Sequence, residues 1–218
     1  MRRFIPKLNR VVRTLIFYDF IVYAGWGLVS PVFAVYILDE IKGGTIFVVG
    51  IAISIYWTSK ALMQIPIGKY LDQKQARQTN LNFLMMGTAI MSTIPLFYIF
   101  ADQIWHILIL QFVHAIGVSM AVPAWGGVFM THVEKGRESE SWSAESSILG
   151  LGLGAAGFIG GFVISNYGYT PIFIAISILG TLGVYAMHSL KYEEGTSPHR
   201  QFLRVASAPI KKTNRYLR

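Results

Sequence analysis

The sequence predicts an all-α integral membrane protein of six transmembrane helices, and three observations carry that prediction. The 218-residue chain is 53% hydrophobic and only 14% charged, against roughly 25% charged in an ordinary soluble domain. The charges are also segregated: the windows 14–38, 45–67, 81–100, 104–130, 143–165 and 170–189 hold only Asp19, Lys60 and Glu145. Each window has a spanning length, since a bilayer core of about 30 Å takes roughly 20 helical residues. A soluble fold must turn polar faces to water, so a soluble enzyme or nucleic-acid binder is excluded. Barrel strands would be about half as long and would alternate apolar with polar residues; these runs are continuously apolar.

Span 1 (14–38) follows Arg2, Arg3, Lys7, Arg10 and Arg13. It is too long for a secretory signal, carries Asp19 and lacks a clear small-residue cleavage site, so it reads as a retained helix. Gly25, Gly27 and Pro31 interrupt it. Span 2 (45–67) carries Lys60, span 3 (81–100) carries Pro95, and span 4 (104–130) carries Pro123 with Gly126 and Gly127. Membrane helices accept such breakers where neighbours or water satisfy the freed backbone groups. Span 5 (143–165) holds Gly150, Gly152, Gly154, Gly157, Gly160 and Gly161. Helices in lipid associate by close backbone approach, which small residues permit. Gly150, Gly154, Gly157, Gly160 and Gly161 are therefore candidate packing or dimer positions, and span 5 is expected to be the most tightly packed. Span 6 (170–189) closes a single six-helix domain over 1–190, and 191–218 form a polar, basic tail.

Charge asymmetry orients the bundle. Of 19 Lys and Arg, 17 fall in the N-terminal segment, the connections 68–80 and 131–142, and the tail; Lys60 is intramembrane and Lys42 stands alone on the other side. Short cytoplasmic loops collect Lys and Arg, so both termini are expected in the cytoplasm of a multi-pass cell-membrane protein. The tail is then either solvated or drawn to the anionic inner leaflet. The absence of cysteine excludes disulfides and thiolate metal sites. No metalloprotease, nucleophile-elbow or phosphate-loop motif and no paired metal carboxylates are present, so neither an enzyme nor a metal or cofactor is expected.

Ionisable groups inside a membrane are costly and mark functional sites by default. Asp19, Tyr23, Trp26 and Ser30 share one face of span 1, and Trp57, Lys60 and Gln64 share one face of span 2. The two helices run antiparallel, which puts Asp19 and Lys60 roughly 9–12 Å from the cytoplasmic end at 1.5 Å per residue. An ion pair is the expectation, either as a gated proton-titrating site or as a structural pair. Gln111 and His114 share a stripe with Gly117 on span 4. His114 reads as a substrate or proton ligand, or as a neutral histidine bonded to a neighbouring helix. Glu145, placed in the first turn of span 5, is explained by the helix dipole.

Three short elements carry a family resemblance. Gly68-Lys69-Tyr70-Leu71-Asp72-Gln73-Lys74-Gln75-Ala76-Arg77 resembles the signature loop between helices 2 and 3 of the major facilitator superfamily, through Gly68, Asp72 and Arg77. Gln73 and Gln75 stand where an arginine and a glycine are usual. Ala156-Gly157-Phe158-Ile159-Gly160-Gly161 is similar to the family's Gly-Pro-x-x-Gly-Gly element, with Gly157 in the proline's place. Gln111-Phe112-Val113-His114-Ala115-Ile116-Gly117 is similar to its Arg-x-x-Gln-Gly-x-Gly element, with Gln111 for the arginine.

The resemblance covers about residues 10–190 and implies the N-terminal six-helix half of such a transporter, built as 3+3 inverted repeats. It further implies a secondary active transporter of a small molecule, with a homodimer or a second six-helix half completing the pathway. A proton-coupled antiporter exporting an amphiphile is the form the carboxylate, the aromatic face and the glycine-rich helix point to. The alternatives are a non-transporting interaction or regulatory subunit, or a truncated half of a twelve-helix transporter. Membrane lipid and a small-molecule substrate are the expected partners, and nucleic acid is not.

Overall fold

The computed structural model describes residues 8–74 and 76–194. Arg2, Arg3 and Lys7, and the tail beyond Glu194, lie outside the described residues. Among the described residues, seven α-helices make six spans: α1 (Arg10–Gly27) and α2 (Phe33–Glu40) share the first, followed by α3 (Ile46–Lys74), α4 (Arg77–Tyr98), α5 (Ile104–His132), α6 (Glu138–Tyr167) and α7 (Thr170–Glu194). All six are long and apolar enough to cross a membrane.

The first span is broken where its sequence said it was weak. α1 ends at Gly27 and a single 3-10 turn, Ser30–Val32, with Pro31 in its first turn, leads into α2. Proline lacks the N–H that would continue the ladder. Pro95 and Pro123 sit inside unbroken helices. On the side of the bundle where α1 begins, the helices run further than the apolar windows: α3 continues to Lys74 and α6 starts at Glu138. The connection expected over 68–80 thus shrinks to the two residues between α3 and α4, because polar residues beyond the hydrocarbon still propagate a helix. α7 similarly enters the segment assigned to the tail.

The packing is internally symmetric. α1 packs on α6 and α7, α5 packs on α3 and α4, and α4 packs on α7. Exchanging the first, second and third spans for the fourth, fifth and sixth maps these contacts onto themselves. Three helices reverse the chain's direction across the membrane, so the two triplets are inverted repeats. α1 and α5 hold equivalent central positions, and α3 and α6 hold equivalent flanks. Those flanks are the least buried of the six spans.

Two apolar clusters hold the bundle. One gathers Val12, Leu15, Leu81, Leu84, Phe129 and Met187 near the N-terminal side; the other gathers Tyr36, Ile37, Tyr98, Ile107, Phe173 and Ile176 at the opposite end. α4 crosses α5 at close range. A Cβ on Gly87 would run into the carbonyl of Gly117, so both glycines are required for the backbones to approach that closely.

Two polar clamps tie the loops. Asn9 caps α1 by accepting from Val12 N–H at 2.9 Å and donates through Nδ2 to the carbonyl of His132. At the far end Lys42 Nζ donates to Asp102 at 2.8 Å while Lys42 N–H donates to the Asp102 carbonyl at 3.0 Å. The Lys42 ammonium holds the Asp102 carboxyl below the usual carboxylate range. A depressed carboxylate keeps its pairing as pH falls until that lowered value is reached. Lys42→Ala is therefore expected to leave thermal stability nearly unchanged at neutral pH, because the pair is exposed and the backbone bond survives. Melting curves in detergent check this.

Candidate functional site

Two cavities open beside the central helices. The first, about 350 Å³, is lined from α1 by Tyr18, Asp19, Val22 and Tyr23, from α4 by Leu84 and Met91, from α5 by Ala121, Val122 and Trp125, and from α6 by Trp142, Glu145, Ser146 and Leu149. The second, about 510 Å³, lies between α1, the break after it, α3 and α5, with Trp26, Tyr56, Trp57, Lys60, Gln111 and His114 in its wall. Tyr23 and Met91 border both. The equivalent flanking helices thus contribute opposite charge, Glu145 from α6 to one cavity and Lys60 from α3 to the other.

The expected pair between Asp19 and Lys60 is not formed. α1 packs on α6 and α7 while α3 packs on α5, so equal depth along antiparallel helices does not bring the two side chains together. Lys60 Nζ instead sits 4.4 Å from the centre of the Trp57 ring, a cation–π contact. Asp19 is 5% exposed and shares its cavity with Glu145, which is 8% exposed. The two carboxylates interact electrostatically. Among the described residues, neither makes a hydrogen bond or ion pair. Tyr18, next to Asp19, bonds to Thr88 of α4 and so is held away from the carboxylate.

The dipole explanation for Glu145 fails with the helix boundary. α6 begins at Glu138, which puts Glu145 two turns inside, beyond the reach of the terminal partial charge. Its role as second acid of the cavity was hidden in the sequence because it stood at the edge of an apolar window. A signal was present nonetheless: it is one of three charges in six spans.

His114 is buried and stacked. Its ring lies 4.0 Å from that of Trp26 at 13° and 5.1 Å from that of Tyr56, joining α1, α3 and α5. Its Nε2 is buried without a hydrogen-bond partner, so the bond to another helix expected of a structural histidine is not made. Gln111 lines the same cavity, whereas Gly117 of the same stripe serves the crossing with α4. The expected face of α1 divides: Tyr23, Trp26 and Ser30 line the second cavity, and Asp19 lines the first together with Tyr23. Gln64 lines neither.

Span 5 was expected to be the most tightly packed and is among the least buried. Two small-residue stripes run along it, and they have different fates. Gly152, Ala156 and Gly160 face α1, where Gly160 meets the Leu28 backbone. Gly150, Gly154 and Gly161 have open space where a side chain would stand, and Gly157 has only Pro31 beside it. Consecutive stripes on one helix point in different directions, and the chain covers one of them. In the signature segment Gly68 has Pro123 as its nearest neighbour, Asp72 is exposed and Arg77 is half-buried at the start of α4.

The profile of the Major Facilitator Superfamily matches residues 15–218. The chain belongs to the major facilitator superfamily. It is similar to an uncharacterized MFS-type transporter of Methanocaldococcus jannaschii, 26% identical over 176 residues. That match takes in 81% of this chain and 44% of the relative; the chain spans about half the length of the curated relative it matches. As a member of the superfamily it is a multi-pass integral membrane protein whose six spans form one bundle half.

Proposed function

We propose that this chain is one half of a secondary active transporter that moves a small molecule across the cell membrane by alternating access. The observation that carries the reading is the acidic cavity: a membrane bundle does not bury two unpaired carboxylates without functional cause. The cavities lie along α1 and α5, between the sparsely buried flanks α3 and α6, so a second six-helix unit placed there would enclose them. Two copies related by a twofold axis supply that unit with one self-complementary contact used twice. The open stripe Gly150, Gly154 and Gly161 on α6 and the exposed start of α6 fit such a contact with α3 of the other half. Both termini then face the cytoplasm, as the charge asymmetry requires. Asp19 and Glu145 carry the coupling protons, and an amphiphile moves outward against proton entry, as in an antiporter.

Reconstitution into liposomes with an imposed proton gradient tests transport; a sealed vesicle showing no gradient-driven solute flux counts against it. The dimer has its own test. Cysteines introduced at Gly68 and Ser143 should crosslink between copies in native membranes, and a product confined to the monomer mass would remove the homodimer in favour of a different second half.

A further inference from the structure

The acidic cavity identifies a substrate class. Resting on the transport reading above, we propose that it binds an organic cation with a flat aromatic body. Asp19 and Glu145 bring two carboxylates to one space and are each more than nine-tenths buried. Among the described residues, no cation or hydrogen-bond donor meets either. A carboxyl group buried this deeply ionises only beside a compensating positive charge, and the described residues supply none. The walls suit an aromatic cation: Tyr18, Tyr23, Trp125 and Trp142 surround the acids. Ring faces attract cations, most strongly where water is excluded. Trp125 stacks on Phe129 at 4.6 Å and meets Trp142 edge-on at 6.5 Å, and its Nε1 is buried with no acceptor. The indole is thus held as a fixed wall with a donor still to satisfy. About 350 Å³ accommodates a small two-ring molecule, within the usual range of ligand pockets. Lys60 in the neighbouring cavity repels a cation there, which confines the charged end of the ligand to the acidic side of Tyr23 and Met91.

The test compares a charged and an uncharged probe of one shape. Equilibrium dialysis of N-methylphenylpyridinium and of phenylpyridine, at mildly alkaline pH where the second is neutral, is run on the purified full chain in detergent. The cation should bind about tenfold more tightly than its neutral counterpart. Asp19→Asn and Glu145→Gln should each erase most of that preference, and Asp19→Glu should restore it. Equal affinities for the two probes, no binding of the cation, or a preference that survives both neutralising substitutions would overturn the proposal. If the amide variants fail to fold, the comparison of probes on the unaltered chain still decides. Carboxylate-dependent binding without flux in liposomes would leave the cation site standing and remove the transport reading. Flux of an anionic or neutral solute with no cation preference would do the reverse.

Discussion

Asp19→Asn is expected to reduce proton-driven transport by about 100-fold or more, the cost of removing a positioned proton-transfer group, while the protein still assembles. The side chain is nearly isosteric with the original and sits in a cavity wall, so packing is preserved. Stability should hold or rise, because an ionisable group buried without a partner costs the folded state. Glu145→Gln should behave in the same way, as the second acid of the same space. Lys60→Ala separates this arrangement from an ion pair. If Asp19 and Lys60 were partners, removing both would cost less than the sum of the single losses. With Lys60 over Trp57 instead, their effects on stability should add to within about 0.5 kcal/mol. Initial rates of gradient-driven uptake and melting curves of the same preparations give both readouts; full transport by the Asp19→Asn protein would remove the acid from the mechanism.

Gly160→Leu should destabilise the bundle by about 1–3 kcal/mol, the usual cost of forcing bulk into a packed interface. The backbone of α6 meets that of Leu28, which caps the end of α1 just ahead of the 3-10 turn that breaks the first span. A side chain there must push α6 away from the end of α1. Gly161→Leu, one residue on, faces open space and should change the stability of the isolated chain by no more than about 0.5 kcal/mol. Its effect should appear in assembly, where the open stripe is the proposed contact. Thermal unfolding read beside size-exclusion mass distinguishes the two; equal destabilisation by both would mean that α6 is covered on every side.

The six spans were legible because hydrocarbon imposes a length and an apolar continuity that no other solvent demands. The break in the first span was legible because Pro31 and Gly27 act through local backbone chemistry. The glycines of span 5 were legible as packing positions, but not which of them pack inside the chain. Residues 152, 156 and 160 and residues 150, 154 and 161 are equally regular stripes, and only the position of α1 separates them. Asp19 and His114 stood out as polar groups in lipid, whereas their partners could not be read.

What the sequence alone determined is the class of molecule: six helices, their membrane order and the few polar residues that cannot rest in hydrocarbon. Those are consequences of transfer free energy and helix geometry, which act residue by residue. The tertiary structure decided the partnerships. Depth along a helix is one coordinate and follows from counting residues; rotation about the axis and the choice of neighbour are others, and they follow from packing among all six spans. That is why Asp19 shares a cavity with Glu145 and not with Lys60, and why two acids far apart in the sequence meet in one site.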